Sequence, residues 1–184
     1  MTGFGFLTRH IPNLLTYSRA ALLPVVLWCA FKLSITHFAA VIFVILTYAA
    51  VSDFLDGHFA RKLNVVSESG KILDPIADKC VILGVFCAFS LLKIMPLWIF
   101  AVISLREAGI TVIRLMWARK GKVVAAEWSG KIKTFVQFVY AMTVSVLMYF
   151  ESESPVATVL LYSALFLTLY SGAEFFWRNR KAFE

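Results

Sequence analysis

The stretch DFLDGHFARKLNVVSESGKILDPIADK, Asp53 to Lys79, interrupts an otherwise oily chain with four aspartates at fixed intervals. Of the 184 residues, 60% are hydrophobic and 15% aromatic, and the mean hydropathy is +0.80. Soluble domains carry roughly 45–50% apolar residues, so composition alone puts this chain in a membrane. Asp53 and Asp56 stand three apart near the end of one apolar run, and Asp74 and Asp78 stand four apart at the start of the next. On a helix, both spacings put the two side chains on one face. An ionised side chain at membrane depth costs about 3 kcal/mol or more unless it finds a partner or a wet cavity. Four crowded carboxylates would also repel, by about 4 kcal/mol per pair at roughly 4 Å in an effective dielectric near 20. Something cationic must hold them together.

Working outward, a helix needs about 20 mostly apolar residues to cross the hydrocarbon core. Six segments qualify: Pro12 to Leu33, His37 to Phe59, Ile72 to Leu92, Pro96 to Trp117, Ile132 to Phe150, and Pro155 to Trp177. Pro12, Pro96 and Pro155 stand at starts, where a proline loses no helical hydrogen bond. The expected fold is all-α and integral to the membrane, with six transmembrane helices around a polar active-site cavity facing the cytoplasm. No linker or low-complexity segment divides the chain, so residues 1–184 are expected to form a single domain. The first run lacks a small-residue cleavage site and is read as a transmembrane helix, not a cleaved signal peptide.

The formal net charge of +7 does not point to nucleic acid, because the basic residues lie between apolar segments and form no stripe with interleaved aromatics. They report orientation instead. One side collects Arg9, Arg61, Lys62, Lys71, Arg119, Lys120, Lys122, Lys131, Lys133, Arg178, Arg180 and Lys181; the other has only Lys32 and Lys93 with the acidic Glu151 and Glu153. Both termini, and the aspartate stretch, are therefore expected at the cytoplasmic face. Cys29, Cys80 and Cys87 lie in apolar runs without metal-type spacing and read as buried thiols. The five tryptophans fall mostly near span ends, as an aromatic belt would.

All-carboxylate donors suit hard cations, chiefly Mg²⁺ or Mn²⁺, whereas zinc would call for His or Cys. Two such ions can clamp a diphosphate and stabilise charge on attacking and leaving oxygens. The alternative is that the acids are interfacial residues paired with Arg61, Lys62, Lys71 and Lys79. Gly57, Ala60 and Gly70 leave little bulk near the acids, room for a planar base and ribose, although small residues also serve helix packing. Arg61 offers a fork of donors suited to phosphate.

As a pattern the stretch reads D-x2-D-G-x2-A-R-x8-G-x3-D-x3-D, from Asp53 to Asp78. It resembles, at every fixed position, the signature of the CDP-alcohol phosphotransferases. The resemblance implies a six-helix enzyme of the bacterial cytoplasmic (inner) membrane, working as a homodimer among membrane lipids, that moves a phosphatidyl group from CDP-diacylglycerol to an alcohol and releases CMP. It further implies that Asp53, Asp56 and Asp74, with Asp78, hold two divalent ions. Asp78 would act as general base on the acceptor hydroxyl. Gly57, Ala60 and Gly70 would accommodate the cytidine nucleotide beside Asp56 and Arg61, with Asn13 and Thr16 of the first span contacting it.

IPNLLTYSR (Ile11 to Arg19), SLREAGITVIR (Ser104 to Arg114) and GKIKT (Gly130 to Thr134) resemble the branch of the family whose acceptor is glycerol 3-phosphate. Such an acceptor brings its own anion, so a cationic pocket is expected, with Arg106, Arg114, Lys131 and Lys133 as its candidates. Two competing roles stay open: a buried pair of Arg106 with Glu107 or an aspartate, and orientation charge or attraction to anionic lipid for the basic residues around the fourth connection. The alternative acceptors are phosphatidylglycerol, as in a cardiolipin synthase, and inositol phosphate or serine. A divalent-cation transporter is the alternative of another class, but it would need acids near the midplane and inverted repeats.

Overall fold

Apolar runs of this length fold as helices because in hydrocarbon every backbone N–H and C=O must be satisfied within the segment. The computed structural model describes the backbone of residues 18–19, 21–63, 68–119 and 128–180, and the side chains of these except 53–63, 68–78 and 119. Asn13 and Thr16 lie outside the described residues, as do the side chains of Asp53, Asp56, Gly57, Ala60, Arg61, Gly70, Asp74 and Asp78. The described chain is all-helical. Its helices are α1 (Ala21–Lys32), α2 (Ile35–Leu63), α3 (Glu68–Leu91), α4 (Leu97–Arg119), α5 (Trp128–Tyr149) and α6 (Pro155–Arg178), and they fall on the six apolar runs.

Among the described residues, three helices are long and apolar enough to cross a membrane: α2 over Ile35–Ser52, α5 and α6. The fourth run differs for a plain reason, since every eighteen-residue stretch of α4 contains Arg106, Glu107 and Arg114. At 29 residues α2 is the longest. Its length of about 44 Å exceeds the ~30 Å hydrocarbon core.

Local sequence sets the helix ends. Pro155 opens α6 behind Ser154, whose side chain accepts from the Val156 N–H at 3.3 Å. Pro96 directly precedes α4, and its carbonyl accepts from Ile99 N at 3.1 Å. Beyond α3, Lys93 adopts φ 60°, Ile94 N donates to Phe89 O at 2.8 Å and Lys93 N to Ser90 O at 3.1 Å. Glu151 repeats this beyond α5, with φ 50° and the bond from Ser152 N to Leu147 O at 2.9 Å. Both are Schellman-type ends that place a non-glycine residue in the left-handed region, at a cost of about 1 kcal/mol each.

The chain divides into two compact units, Met1–Ala88 and Phe89–Glu184. In the first, α2 buries Phe38, Ala39, Ile42, Ile45 and Leu46, and α3 buries Val81, Ile82, Val85 and Phe86. Helix α3 approaches α1 closely at Gly84, where a Cβ would lie 3.4 Å from Leu23 Cγ. In the second unit α6 packs on both α4 and α5. Its core holds Ile99, Ile103, Ile110, Tyr140, Ala164 and Phe175. Trp117 departs from the expected aromatic belt: it is buried and stacks on Phe175 at 5.8 Å, whereas Trp28, Trp98, Trp128 and Trp177 are exposed. Cys29 is buried, Cys80 and Cys87 are half-buried, and all three are free thiols.

Candidate functional site

The aspartate positions belong to two helices. Positions 53 and 56 lie in α2, and positions 74 and 78 lie in α3. Their backbone register continues the buried stripes of those helices. Phe38, Ile42, Ile45 and Ser52 lead at three-to-four-residue steps and their multiples to position 56, and Val85 and Ile82 lead back to positions 78 and 74. The donor set, four carboxylates at helical spacing with neither thiol nor imidazole among them, fits a hard divalent cation.

The second unit contains a cluster that is fully described. Glu107 sits in the buried stripe of α4 between Ile103 and Ile110 and is only 2% exposed. A carboxylate there must be paired. Its Oε1 accepts from Arg106 Nη1 at 2.9 Å and also from Nζ of Lys133, which reaches across from α5 and is itself 2% exposed. Sequence neighbours on a helix ordinarily point apart. Arg106 nevertheless reaches Glu107 because its side chain lies along α6, where Nη2 donates to Ser171 Oγ at 3.0 Å. Gly172 lies beside this path: a Cβ at that position would be in ordinary contact with Arg106 Cγ at 3.5 Å and Nε at 3.6 Å. Arg106 Nε makes no hydrogen bond among the described residues.

Below this cluster the same arrangement recurs without charge. Gln137, one helical turn from Lys133 on α5, donates from Nε2 to Thr168 Oγ1 at 3.0 Å. The hydroxyls of Thr168 and Ser171 are both grounded on their own helix. Thr168 donates to Ala164 O at 2.6 Å, and Ser171 to Leu167 O at 2.7 Å. Where no water reaches, a hydroxyl satisfies its proton on the preceding turn and keeps its lone pairs for a neighbouring helix.

The four acceptor candidates therefore have different surroundings. Arg106 and Lys133 meet on Glu107, the pairing that the sequence left open for Arg106. Arg114, two turns further along α4, lies over the Phe175 ring at 5.3 Å. Lys131 is exposed, with its ammonium 5.7 Å from the Trp128 ring. From the sequence alone, Gln137, Thr168, Ser171 and Gly172 carry no assigned role. A signal was present: Ser171 and Gly172 stand three and four residues beyond Thr168, and Gln137 stands four beyond Lys133.

Against known proteins, the family model for CDP-alcohol phosphatidyltransferase matches residues 9–170. The chain is similar to the CDP-diacylglycerol–glycerol-3-phosphate 3-phosphatidyltransferase of Bacillus subtilis, with 36% identity covering 94% of this chain and 96% of that protein. A probable phosphatidylglycerophosphate synthase of Mycobacterium tuberculosis is 37% identical, covering 90% of this chain and 79% of its own. A CMP-forming cardiolipin synthase of Streptomyces coelicolor is 34% identical over a shorter stretch, 68% of this chain and 60% of that protein.

Proposed function

The chain belongs to the CDP-alcohol phosphatidyltransferase family, and we propose that it transfers the phosphatidyl group of CDP-diacylglycerol to glycerol 3-phosphate, giving phosphatidylglycerol phosphate and CMP. The observation that carries this reading is the nearly end-to-end likeness to relatives named for that reaction. The likeness to a cardiolipin synthase is shorter, and that acceptor is not favoured. Residues 1–184 act as one domain in this reading, supported by a family match that runs through both compact units.

In the proposed reaction the acceptor's primary hydroxyl oxygen bonds to the lipid-side phosphorus of CDP-diacylglycerol. The bond from that phosphorus to the bridging oxygen breaks, and CMP leaves with the electron pair. Asp78 takes the hydroxyl proton. Asp53, Asp56 and Asp74, with Asp78, would hold two Mg²⁺ or Mn²⁺ ions, which supply charge stabilisation to the diphosphate. Divalent ions are a general property of the family. Gly57, Ala60 and Gly70 make room for the cytidine nucleotide, flanked by Asn13, Thr16 and Arg61. Arg106 and Lys133 take the acceptor's phosphate, a role supported by their meeting on the buried Glu107 carboxylate, while Arg114 and Lys131 add positive potential. Positioning and electrostatics supply the rate enhancement, as is general for phosphoryl chemistry.

The protein is integral to a bacterial cytoplasmic membrane in this reading. All six helices span it, and both termini and the active site face the cytoplasm, supported by the lysine and arginine distribution. A homodimer is implied by family resemblance alone. The test is to incubate purified protein with CDP-diacylglycerol and each candidate acceptor. CMP release with glycerol 3-phosphate is expected; turnover only with phosphatidylglycerol, inositol phosphate or serine would overturn the assignment. Inversion at phosphorus is expected for direct displacement, and retention would sink it.

A further inference from the structure

We propose that Glu107 is a positioning residue for acceptor recognition: its single oxygen Oε1 gathers Arg106 and Lys133 from two helices into one binding element for the acceptor's phosphate. The inference rests on the proposed reading that these two cations bind that phosphate. Two donors on one oxygen lie at most about 6 Å apart. Two cations at that range, one buried and one half-buried, repel each other unless an anion stands between them. Glu107 is placed to be that anion, because it is buried in the apolar stripe of α4 and accepts from Arg106 Nη1 and Lys133 Nζ on the same atom. Ser171 completes the arrangement from α6 by accepting from Arg106 Nη2 at 3.0 Å, so that two of the guanidinium's nitrogens are fixed from two directions.

A phosphate gains from such pre-orientation, since it meets two cations already held together. A residue needed only for folding would damage every kinetic constant alike. Glu107 instead is expected to act on one substrate, because the two cations it gathers, Arg106 and Lys133, are both assigned to the acceptor's phosphate.

The test compares Glu107→Gln, Glu107→Asp and Ser171→Ala with the full-length enzyme, measuring KM for glycerol 3-phosphate, KM for CDP-diacylglycerol and kcat. Glutamine can keep an acceptor oxygen at the same place, while it removes the charge and turns the second oxygen into an N–H donor. It is expected to raise KM for glycerol 3-phosphate about tenfold or more, the loss expected when a charged hydrogen-bond partner goes. KM for CDP-diacylglycerol should stay within about twofold, and competitive inhibition by inorganic phosphate should weaken in parallel. Aspartate, which restores the charge, should recover most of the loss. An unchanged KM for glycerol 3-phosphate, or an equal loss in both substrates' constants, would overturn the inference.

If the glutamine variant fails to accumulate in membranes, Ser171→Ala decides. A rise of about threefold to tenfold in the glycerol 3-phosphate KM alone supports the inference, and no change refutes it. Arg106→Gln and Lys133→Gln separate the two levels. If neither raises the glycerol 3-phosphate KM, the acceptor assignment itself is wrong. If both raise it and Glu107→Gln does not, only the role of Glu107 fails.

Discussion

Substituting Gly172 tests how Arg106 is held. An alanine Cβ would contact Arg106 Cγ at 3.5 Å and Nε at 3.6 Å, ordinary van der Waals distances, so Gly172→Ala should fit without displacement. Replacing an interior helical glycine by alanine stabilises by up to about 1 kcal/mol in soluble hosts. For a chain of 184 residues this is a rise in melting temperature of about 2–4 °C. Valine differs, because its methyl groups extend about 1.5 Å beyond Cβ and one χ1 rotamer dominates in a helix, leaving little freedom to avoid a neighbour. The flexible partner yields, and Arg106 swings off Ser171 and Glu107. Losing a charged hydrogen bond of about 1.5–3 kcal/mol corresponds to a roughly tenfold to hundredfold higher KM for glycerol 3-phosphate. The assay is initial-rate CMP release in mixed micelles, with glycerol 3-phosphate varied at saturating CDP-diacylglycerol and then the reverse. The reasoning is refuted if Gly172→Val leaves the glycerol 3-phosphate KM within twofold of Gly172→Ala, or moves both substrates' constants equally.

Asp53→Asn and Asp78→Asn should each abolish CMP release while protein levels in the membrane stay unchanged, and chelator treatment of the wild type should do the same until Mg²⁺ or Mn²⁺ is restored; retained turnover in either variant would refute the assigned role of that aspartate. Lys93→Gly and Glu151→Gly relieve left-handed backbone, and after the extra unfolded-chain entropy of glycine each should stabilise by about 0.5 kcal/mol, read as a rise of about 1–2 °C in thermal unfolding. A double-mutant cycle between Gln137→Leu and Thr168→Val should give a coupling of about 0.6 kcal/mol, the usual size of an interhelical hydrogen bond in a membrane, in unfolding titrations.

The helices were legible because hydrocarbon demands long apolar segments and leaves few alternatives. Their ends were less so. Helix α5 begins at Trp128, ahead of the expected Ile132, because Ser129, Gly130 and Lys131 continue the helix although their polarity marks them as a connection. Helix α2 likewise runs to Leu63 past the expected Phe59. At the site, the pairing of Arg106 with Glu107 was legible as one of its two open roles. The burial of Lys133 was not, since it sits among basic residues that look like orientation charge. Helical geometry does separate Lys131 from Lys133: two residues apart, they point to opposite faces, one exposed and one buried. The contribution of α6 was hidden because a few hydroxyls and a glycine barely change the hydropathy of a span. What they do depends on which helices they touch.

The hydroxyl of Ser171 has one further consequence. Its proton is committed to Leu167 O, and it accepts from a cationic Arg106. An attacking hydroxyl needs the reverse: a base to take its proton and lone pairs free to reach phosphorus. Ser171 is thus electronically passivated. In the proposed reaction Ser171 can therefore anchor the guanidinium without competing with the incoming alcohol for the transferred group.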